Sequence, residues 1–231
     1  MKNLSDALNL SYPGRGIIVG QNEKGNFILV YFITGRSINS RNRIFVREED
    51  GMRTKAFDES LLTDPSLIIY RPYTTFRDTE IITNGDQTET IYEFLSKGDT
   101  FENALKTRTY EPDKPNFTPR ISALIKPSEE SCFYLSVLKK KKMGEECERS
   151  FYCYGREKGK GYFIRTYVDN GDPLPSFEGE PVCVELKGDA STIAETVWKA
   201  LDKENKVALF VRELTEKGAV EKIINKLENE K

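Results

Sequence analysis

Apolar residues fall in short runs separated by turn signals, with the spacing of strands over most of the chain. Residues 16–20 and 26–33 are two such runs, and Asn22-Glu23-Lys24-Gly25 between them predicts a β-hairpin. The core of the second run, Phe27-Ile28-Leu29-Val30-Tyr31-Phe32-Ile33, is apolar at every position, the pattern of a buried strand. Further strands are predicted over 43–47, over 66–70 (stopped by Pro72) and over 80–83 (stopped by Asn84-Gly85). Strands follow over 121–126, 131–138, 149–154, 161–168 and 181–186, with turns at Lys158-Gly159 and Asn170-Gly171-Asp172. Helical patterns cover 88–95 and 100–108. Asp86 and Asp99 precede them, with Glu89 and Glu102 three residues on, which resembles a capping box with Asp in the Ser/Thr place. The C-terminal part predicts a helix over 192–201, a strand over 207–211 and a helix over 218–227. Strands, a helix pair, strands and then helices describe an α+β protein of mainly antiparallel sheets covered by helices.

Length and charge narrow this picture. With 231 residues the chain is expected to form a single domain with room for two stacked sheets. The balance of 35 basic against 37 acidic residues offers no field for nucleic acid. The single-sign run Lys139, Lys140, Lys141, Lys142 is followed by Glu145, Glu146 and Glu148 and reads as a solvated hairpin tip. Four cysteines (Cys132, Cys147, Cys153, Cys183) lack C-x-x-C spacing and have no histidine beside them, so buried thiols are expected and no metal site. Residues 1–11 read as a polar extension, unlike a signal peptide. No run approaches the ~18 apolar residues of a membrane span, so a cytoplasmic protein without a membrane partner is expected.

The absence of histidine assigns any proton transfer to Tyr, Glu, Asp, Lys, Cys or water. Residues 35–43 then stand out: Gly35-Arg36-Ser37-Ile38-Asn39-Ser40-Arg41-Asn42-Arg43 follows directly on the buried strand. Three guanidinium groups among small polar residues suit an anion, because the planar fork grips phosphate or carboxylate through paired hydrogen bonds. Three other segments share this character. Arg53-Thr54-Lys55 stands upstream of Tyr70, which is either a half-buried aromatic or a phenol beside arginines that would lower its pKa from ~10. Thr83-Asn84-Gly85-Asp86-Gln87-Thr88 is a strand–turn–helix junction; capping accounts for Asp86, and contacts to a polar heterocycle are the better use of Asn84 and Gln87. The loop 110–120 carries three prolines, and Glu111 within it is either a solvated carboxylate or a base opposite the arginines.

Together, Gly35-Arg36-Ser37 through Asn42-Arg43, Asn84-Gly85-Asp86-Gln87-Thr88 with Thr90-Ile91, and Asn116-Phe117-Thr118-Pro119-Arg120-Ile121 resemble the archaeal-type IMP cyclohydrolases and their bacterial relatives, over nearly the whole chain from Tyr12. The resemblance implies a four-layer α-β-β-α sandwich like that of the N-terminal-nucleophile hydrolases. The chain departs from that pattern in starting with Met1 and a polar extension, so no acyl-enzyme chemistry is expected. It further implies closure of 5-formamidoimidazole-4-carboxamide ribonucleotide to IMP with loss of water, without cofactor or metal. On matching positions it points to Arg43, Tyr70 and Glu111 as catalytic: Arg43 for the oxyanion, Tyr70 for the leaving hydroxyl, Glu111 for the attacking amide. Arg36, Arg53, Lys55 and Arg120 become candidates for the 5′-phosphate, and Asn84, Gly85, Asp86 and Gln87 for base or ribose. Ser37 and Asn42 either join them or shape the loop. The implied partners are the purine nucleotides themselves, a second copy of the chain in a homo-oligomer, and functional pairing with an aminoimidazole carboxamide ribonucleotide formyltransferase. Two rival readings stand beside this one: an enzyme of the same scaffold acting on another nucleotide or amide, and a nucleotide-binding module without turnover.

Overall fold

The structure, a computed structural model, describes residues 1–62 and 68–229. In chain order the elements are α1 (Leu4–Leu8), β1 (Arg15–Gln21), β2 (Phe27–Thr34), α2 (Ile38–Arg41), β3 (Arg43–Glu48) and β4 (Gly51–Ala56). A 3-10 turn (Glu59–Leu61) precedes β5 (Tyr73–Phe76), β6 (Thr79–Thr83), α3 (Gln87–Ser96), α4 (Phe101–Lys106) and β7 (Arg120–Ile125). There follow β8 (Ser131–Lys140), β9 (Cys147–Gly155), β10 (Lys160–Arg165), β11 (Val182–Glu185), α5 (Ala190–Ala200), β12 (Lys206–Thr215), β13 (Gly218–Asn225) and α6 (Lys226–Asn229).

These strands make two sheets, one in the order β11-β10-β1-β2-β12-β13 and one running β3-β4-β5-β6-β7-β8-β9, and every paired neighbour is antiparallel. The all-apolar run in β2 now has its explanation. Leu29, Tyr31 and Ile33 face the second sheet, while Ile28, Val30 and Phe32 face α1 and α5 on the other side. In the second sheet Ile82, Ile121 and Ala123 point to the inter-sheet core, and Ile81 and Leu124 lie beneath α3 and α4. Each such fully buried Leu, Ile, Val or Phe side chain stabilises the fold by about 1.5–3 kcal/mol relative to exposure. The packing order is helices, sheet, sheet, helices, an α+β arrangement.

The hairpin at Asn22, the lysine-bearing tip between β8 and β9 and both central helices lie where the pattern places them. Four expectations need correction. Residues 218–227 form mainly a strand. Val220, Ile223, Ile224 and Leu227 have helical spacing, yet Ile223 packs into the inter-sheet core and its neighbour Ile224 toward the helices, a period of two enforced by pairing with β12. Residues 1–11 are no mere extension, since Leu4, Ala7 and Leu8 of α1 bury against the α5 side of the first sheet. Thr100 rather than Asp99 caps α4 through its side chain. Of the cysteines only Cys132 is buried, and Cys153 is exposed on an edge strand. The strand expected over 66–70 lies partly outside the described residues, and its remainder, 68–70, is irregular. β4 and β5 escape the pattern because both are short and mixed in polarity.

Candidate active site

At one end of the sandwich β1 begins, β2 ends, β3 begins and the proline-bearing loop enters β7. Antiparallel pairing brings Arg15, residues 35–43 and Glu111 to that same end, around a cleft of about 370 Å³. That volume is in the range of small-molecule sites. Backbone clamps fix its floor. Thr34 donates to the Gly14 carbonyl from both its amide (2.7 Å) and its hydroxyl (2.8 Å), and the Arg15 amide donates to Thr166 Oγ1 (3.1 Å). Gly14 has φ +73, and a Cβ there would sit 2.1 Å from Thr166 Oγ1, so only glycine lets the chain turn into β1 this close to β10. Tyr12 stacks on Tyr167 with ring centroids 6.0 Å apart, and the Arg36 guanidinium lies 5.0 Å above the Tyr12 ring.

The charges inside the cleft are incompletely paired. Arg43 is 2% exposed; its Nε donates to the Ser40 carbonyl (2.8 Å), while its Nη1 has no hydrogen-bond partner among the described residues. Arg15 Nε is likewise without one, and Arg15 Nη2 lies 4.0 Å from Glu111 Oε2, an ion pair with a gap. Buried guanidinium donors normally find acceptors, so two orphans in one cleft mark it as a place for an anion. Burial, then the charge of Arg15, lowers the pKa of Arg43 below the usual arginine range. Burial acts the same way on Arg15, but Glu111, then Tyr70 and Tyr167, outweigh it and hold it well above that range. Glu111, 2% exposed, is pushed up from the usual carboxylate value by burial, against Arg15 and Arg120. At 4.0 Å the attraction of Arg15 falls short of undoing Glu111's burial, a balance in which both partners shift upward.

Two phenol chains adjoin this centre. Tyr70 is buried behind the cleft with its hydroxyl 2.7 Å from that of Tyr31. Its backbone is locked to β4 by Tyr70 N to Thr54 Oγ1 (2.8 Å) and Thr54 N to Tyr70 O (2.9 Å). Burial, then the Tyr70 phenol, holds Tyr31 well above the usual phenol range, against Arg15 and Arg43. The second chain runs Tyr167, Thr118, Asp113. Thr118 gives its one hydroxyl proton to Asp113 Oδ2, so Tyr167 is the donor across its 2.5 Å contact with Thr118 Oγ1.

Of the predicted residues, Arg36, Ser37, Arg43 and Glu111 line the cleft and Tyr70 backs it. Arg36 also holds the far wall, donating to Asn170 Oδ1 (2.7 Å) and Gly171 O (2.9 Å). Ser37 caps α2 in a reciprocal pair with Ser40, and Asn42 exchanges hydrogen bonds with the backbone of Asp58 (2.7 and 2.8 Å), so both shape the loop. The structure separates Arg53 and Lys55 from the cleft: they alternate outward on β4 and pair with Glu48 and Glu59.

The junction after β6 forms a different unit. Asn84 donates to Pro119 O (2.9 Å) and accepts from Ile121 N (2.8 Å) and Gln87 Nε2 (3.0 Å). Gln87 Oε1 accepts from Arg120 Nη1 (2.7 Å), which also reaches Asp86 Oδ1 (2.7 Å). Both amides are fully buried, and each of their polar atoms is hydrogen-bonded within the protein. A Cβ on Gly85 would lie 2.5 Å from Arg120 Nη1, so glycine is required for this packing. Asp86 makes no side-chain cap; burial would raise its pKa, but Arg108 and Arg120 outweigh it and hold the carboxylate below the usual value. Sequence reasoning missed Arg15, Tyr167, Thr118 and Asp113. The one signal for Arg15 was a charged residue opening the otherwise apolar β1 just after Pro13-Gly14.

A two-sheet α+β scaffold with underpaired arginines, one buried carboxylate and phenols around a cleft defines a protein built to hold an anionic polar ligand and move its protons. Residues 12–218 match the sequence model of the IMP cyclohydrolase-like protein family, and the chain belongs to that family. It is 32% identical over 195 residues to the IMP cyclohydrolase of Methanopyrus kandleri, covering 72% of this chain and 89% of that one. It is 28% identical over 147 residues to the IMP cyclohydrolase of Methanococcus maripaludis strain S2, covering 61% and 72%, and 27% identical over 170 residues to that of strain C7, covering 68% and 74%.

Proposed function

We propose that this chain is an IMP cyclohydrolase that closes 5-formamidoimidazole-4-carboxamide ribonucleotide to IMP, releasing water. The observation that carries the reading is the joining of Arg43, Arg15 and Glu111 in one cleft, with guanidinium donors that have no hydrogen-bond partner among the described residues. The substrate carries both nucleophile and electrophile, so the protein need only bring them together, stabilise the developing charge and carry protons. The carboxamide nitrogen bonds to the formyl carbon and gives up one proton; the formamido nitrogen gives up a second; the formyl oxygen leaves with both as water. Glu111 takes the first proton, which its raised pKa suits. Arg43 Nη1 faces the negative charge that develops on the formyl oxygen. Tyr70 serves the departing hydroxyl, and Tyr31, kept a phenol by burial, can donate to the Tyr70 oxygen. Arg36, at the exposed rim, takes the 5′-phosphate, with Ser37 beside it.

This reading extends to the scaffold and the setting. The order helices, sheet, sheet, helices supports a single domain like that of the N-terminal-nucleophile hydrolases. Among the described residues no helix is long and apolar enough to cross a membrane, and the four cysteines are free; both accord with a cytoplasmic enzyme. The test is an ultraviolet assay for IMP formation by purified protein, beside a thermal-shift panel of IMP, the aminoimidazole carboxamide ribonucleotide, AMP and GMP. Ring closure with stabilisation by IMP is expected. Stabilisation without turnover would mean a binding module, and neither would sink the reading.

A further inference from the structure

Arg15 is the residue of the cleft whose situation is least like that of a structural arginine. It opens β1 at the point where the Gly14 turn and the clamp to Thr166 fix its backbone. Its side chain is 13% exposed, yet its Nε has no hydrogen-bond partner among the described residues. Its nearest acid is Glu111, itself buried, at 4.0 Å. Arg120, by contrast, is held through its Nη1 by both Gln87 and Asp86. Arg15 instead contributes charge at close range to the one carboxylate that the proposed reaction uses as a base.

The groups around Glu111 show why that charge is needed. Arg15 comes from β1, Arg43 from β3 and Arg120 from β7, while Asp113 on its own loop opposes them. Around Arg15 stand the phenols of Tyr70, Tyr167 and Tyr31. Arg120 is shared with Asp86 and Gln87, and Arg43 acts on Glu111 more weakly than Arg15 does. Arg15 is the strongest of the three cations acting on Glu111 and the one paired with it.

We propose that Arg15 is a positioning residue for ring closure: its guanidinium holds the Glu111 side chain in the cleft as a carboxylate ready to accept the amide proton. The proposal rests on the reading of Glu111 as the base. Without Arg15, burial acts on Glu111 with less opposition, the carboxyl stays protonated to higher pH, and the base is available over a narrower range.

The test follows the Glu111 carboxyl itself. Protein labelled with 13C-glutamate is titrated by NMR, the Glu111 signal being assigned by its loss in Glu111→Gln. In Arg15→Gln the midpoint rises by about one to three pH units, the effect of an opposite charge at this range. The acid limb of ring closure rises with it, while KM changes little. Arg15→Lys, which keeps the charge on a shorter reach, gives a smaller rise and recovers part of the turnover; it also carries the test if Arg15→Gln does not fold. An unchanged Glu111 midpoint in a folded Arg15 variant overturns the proposal, even if turnover falls. A wild-type protein that does not close the ring, but whose Glu111 midpoint moves as described, removes the functional reading and leaves the positioning role in place.

Discussion

Two clusters of arginine and carboxylate lie side by side in this protein, and they differ in one respect. In the junction after β6, Arg120, Asp86, Gln87 and Asn84 bond to one another and to the backbone around the start of β7, and both polar atoms of each buried amide have a partner. In the cleft, Arg15 and Arg43 each keep a buried donor without a hydrogen-bond partner among the described residues, and the Glu111 carboxylate stands 4.0 Å from Arg15. The residue types are the same. Open donors gathered around one cleft, rather than open donors as such, separate the two, since Arg71, Arg149 and Arg212 elsewhere also keep an Nε without a hydrogen-bond partner among the described residues.

That contrast predicts how substitutions should behave. Glu111→Gln gives the largest effect. Loss of a general base should slow ring closure by about 10²–10⁴, measured as the rate of IMP formation. It also carries a signature in stability. A carboxylate whose folded pKa is raised favours the folded state only while protonated, so wild type loses stability as pH rises from the ordinary glutamate value through the raised one. The melting temperature of wild type should therefore fall relative to Glu111→Gln across that window, as calorimetry at stepped pH would show. A wild-type melting temperature that instead rises relative to Glu111→Gln across that window would contradict the raised value. Arg43→Ala comes next, at about 10²–10³ in rate, or roughly 3–4 kcal/mol of transition-state stabilisation, with little change in melting temperature.

Asn84→Ala should invert the pattern. It strands the Ile121 amide and the Pro119 carbonyl in the interior, at a cost of about 2–4 kcal/mol, and lowers the melting temperature by on the order of 10 °C. Turnover per folded molecule should stay near wild type, with KM unchanged; a raised KM at constant stability would return Asn84 to the ligand. The smallest effect belongs to Arg53→Ala. This exposed partner of Glu48 lies outside the cleft, so rate and stability should remain within a factor of two and about 0.5 kcal/mol.

The sequence made the scaffold legible wherever one physical signal dominated. The unbroken apolar run in β2 required cover on both faces, and the structure supplies a sheet on one and helices on the other. The edge strand β13 was illegible because its four apolar residues fit a helix as well as a strand, and only pairing with β12 decides. For the site, the loop 35–43 announced an anion through composition alone, but which guanidinium points inward is a tertiary fact. Arg41 turns away to Gly35 O (2.9 Å) and Asn205 Oδ1 (3.0 Å), while Arg15, over twenty positions earlier, takes its place across the β1–β2 pairing. Asn84 and Gln87 pose a related difficulty. Amides suited to a heterocycle are equally suited to a buried turn, and composition cannot tell a saturated group from an open one.

The central claim is that the underpaired cleft performs the ring closure and the saturated junction only supports it. The most direct measurement is the single-turnover rate of IMP formation by Arg43→Ala and Asn84→Ala, each divided by its folded fraction at the assay temperature. The account predicts a loss of at least about a hundredfold for Arg43→Ala and a rate near wild type for Asn84→Ala. Equal losses in both, or a larger loss at Asn84, would contradict it.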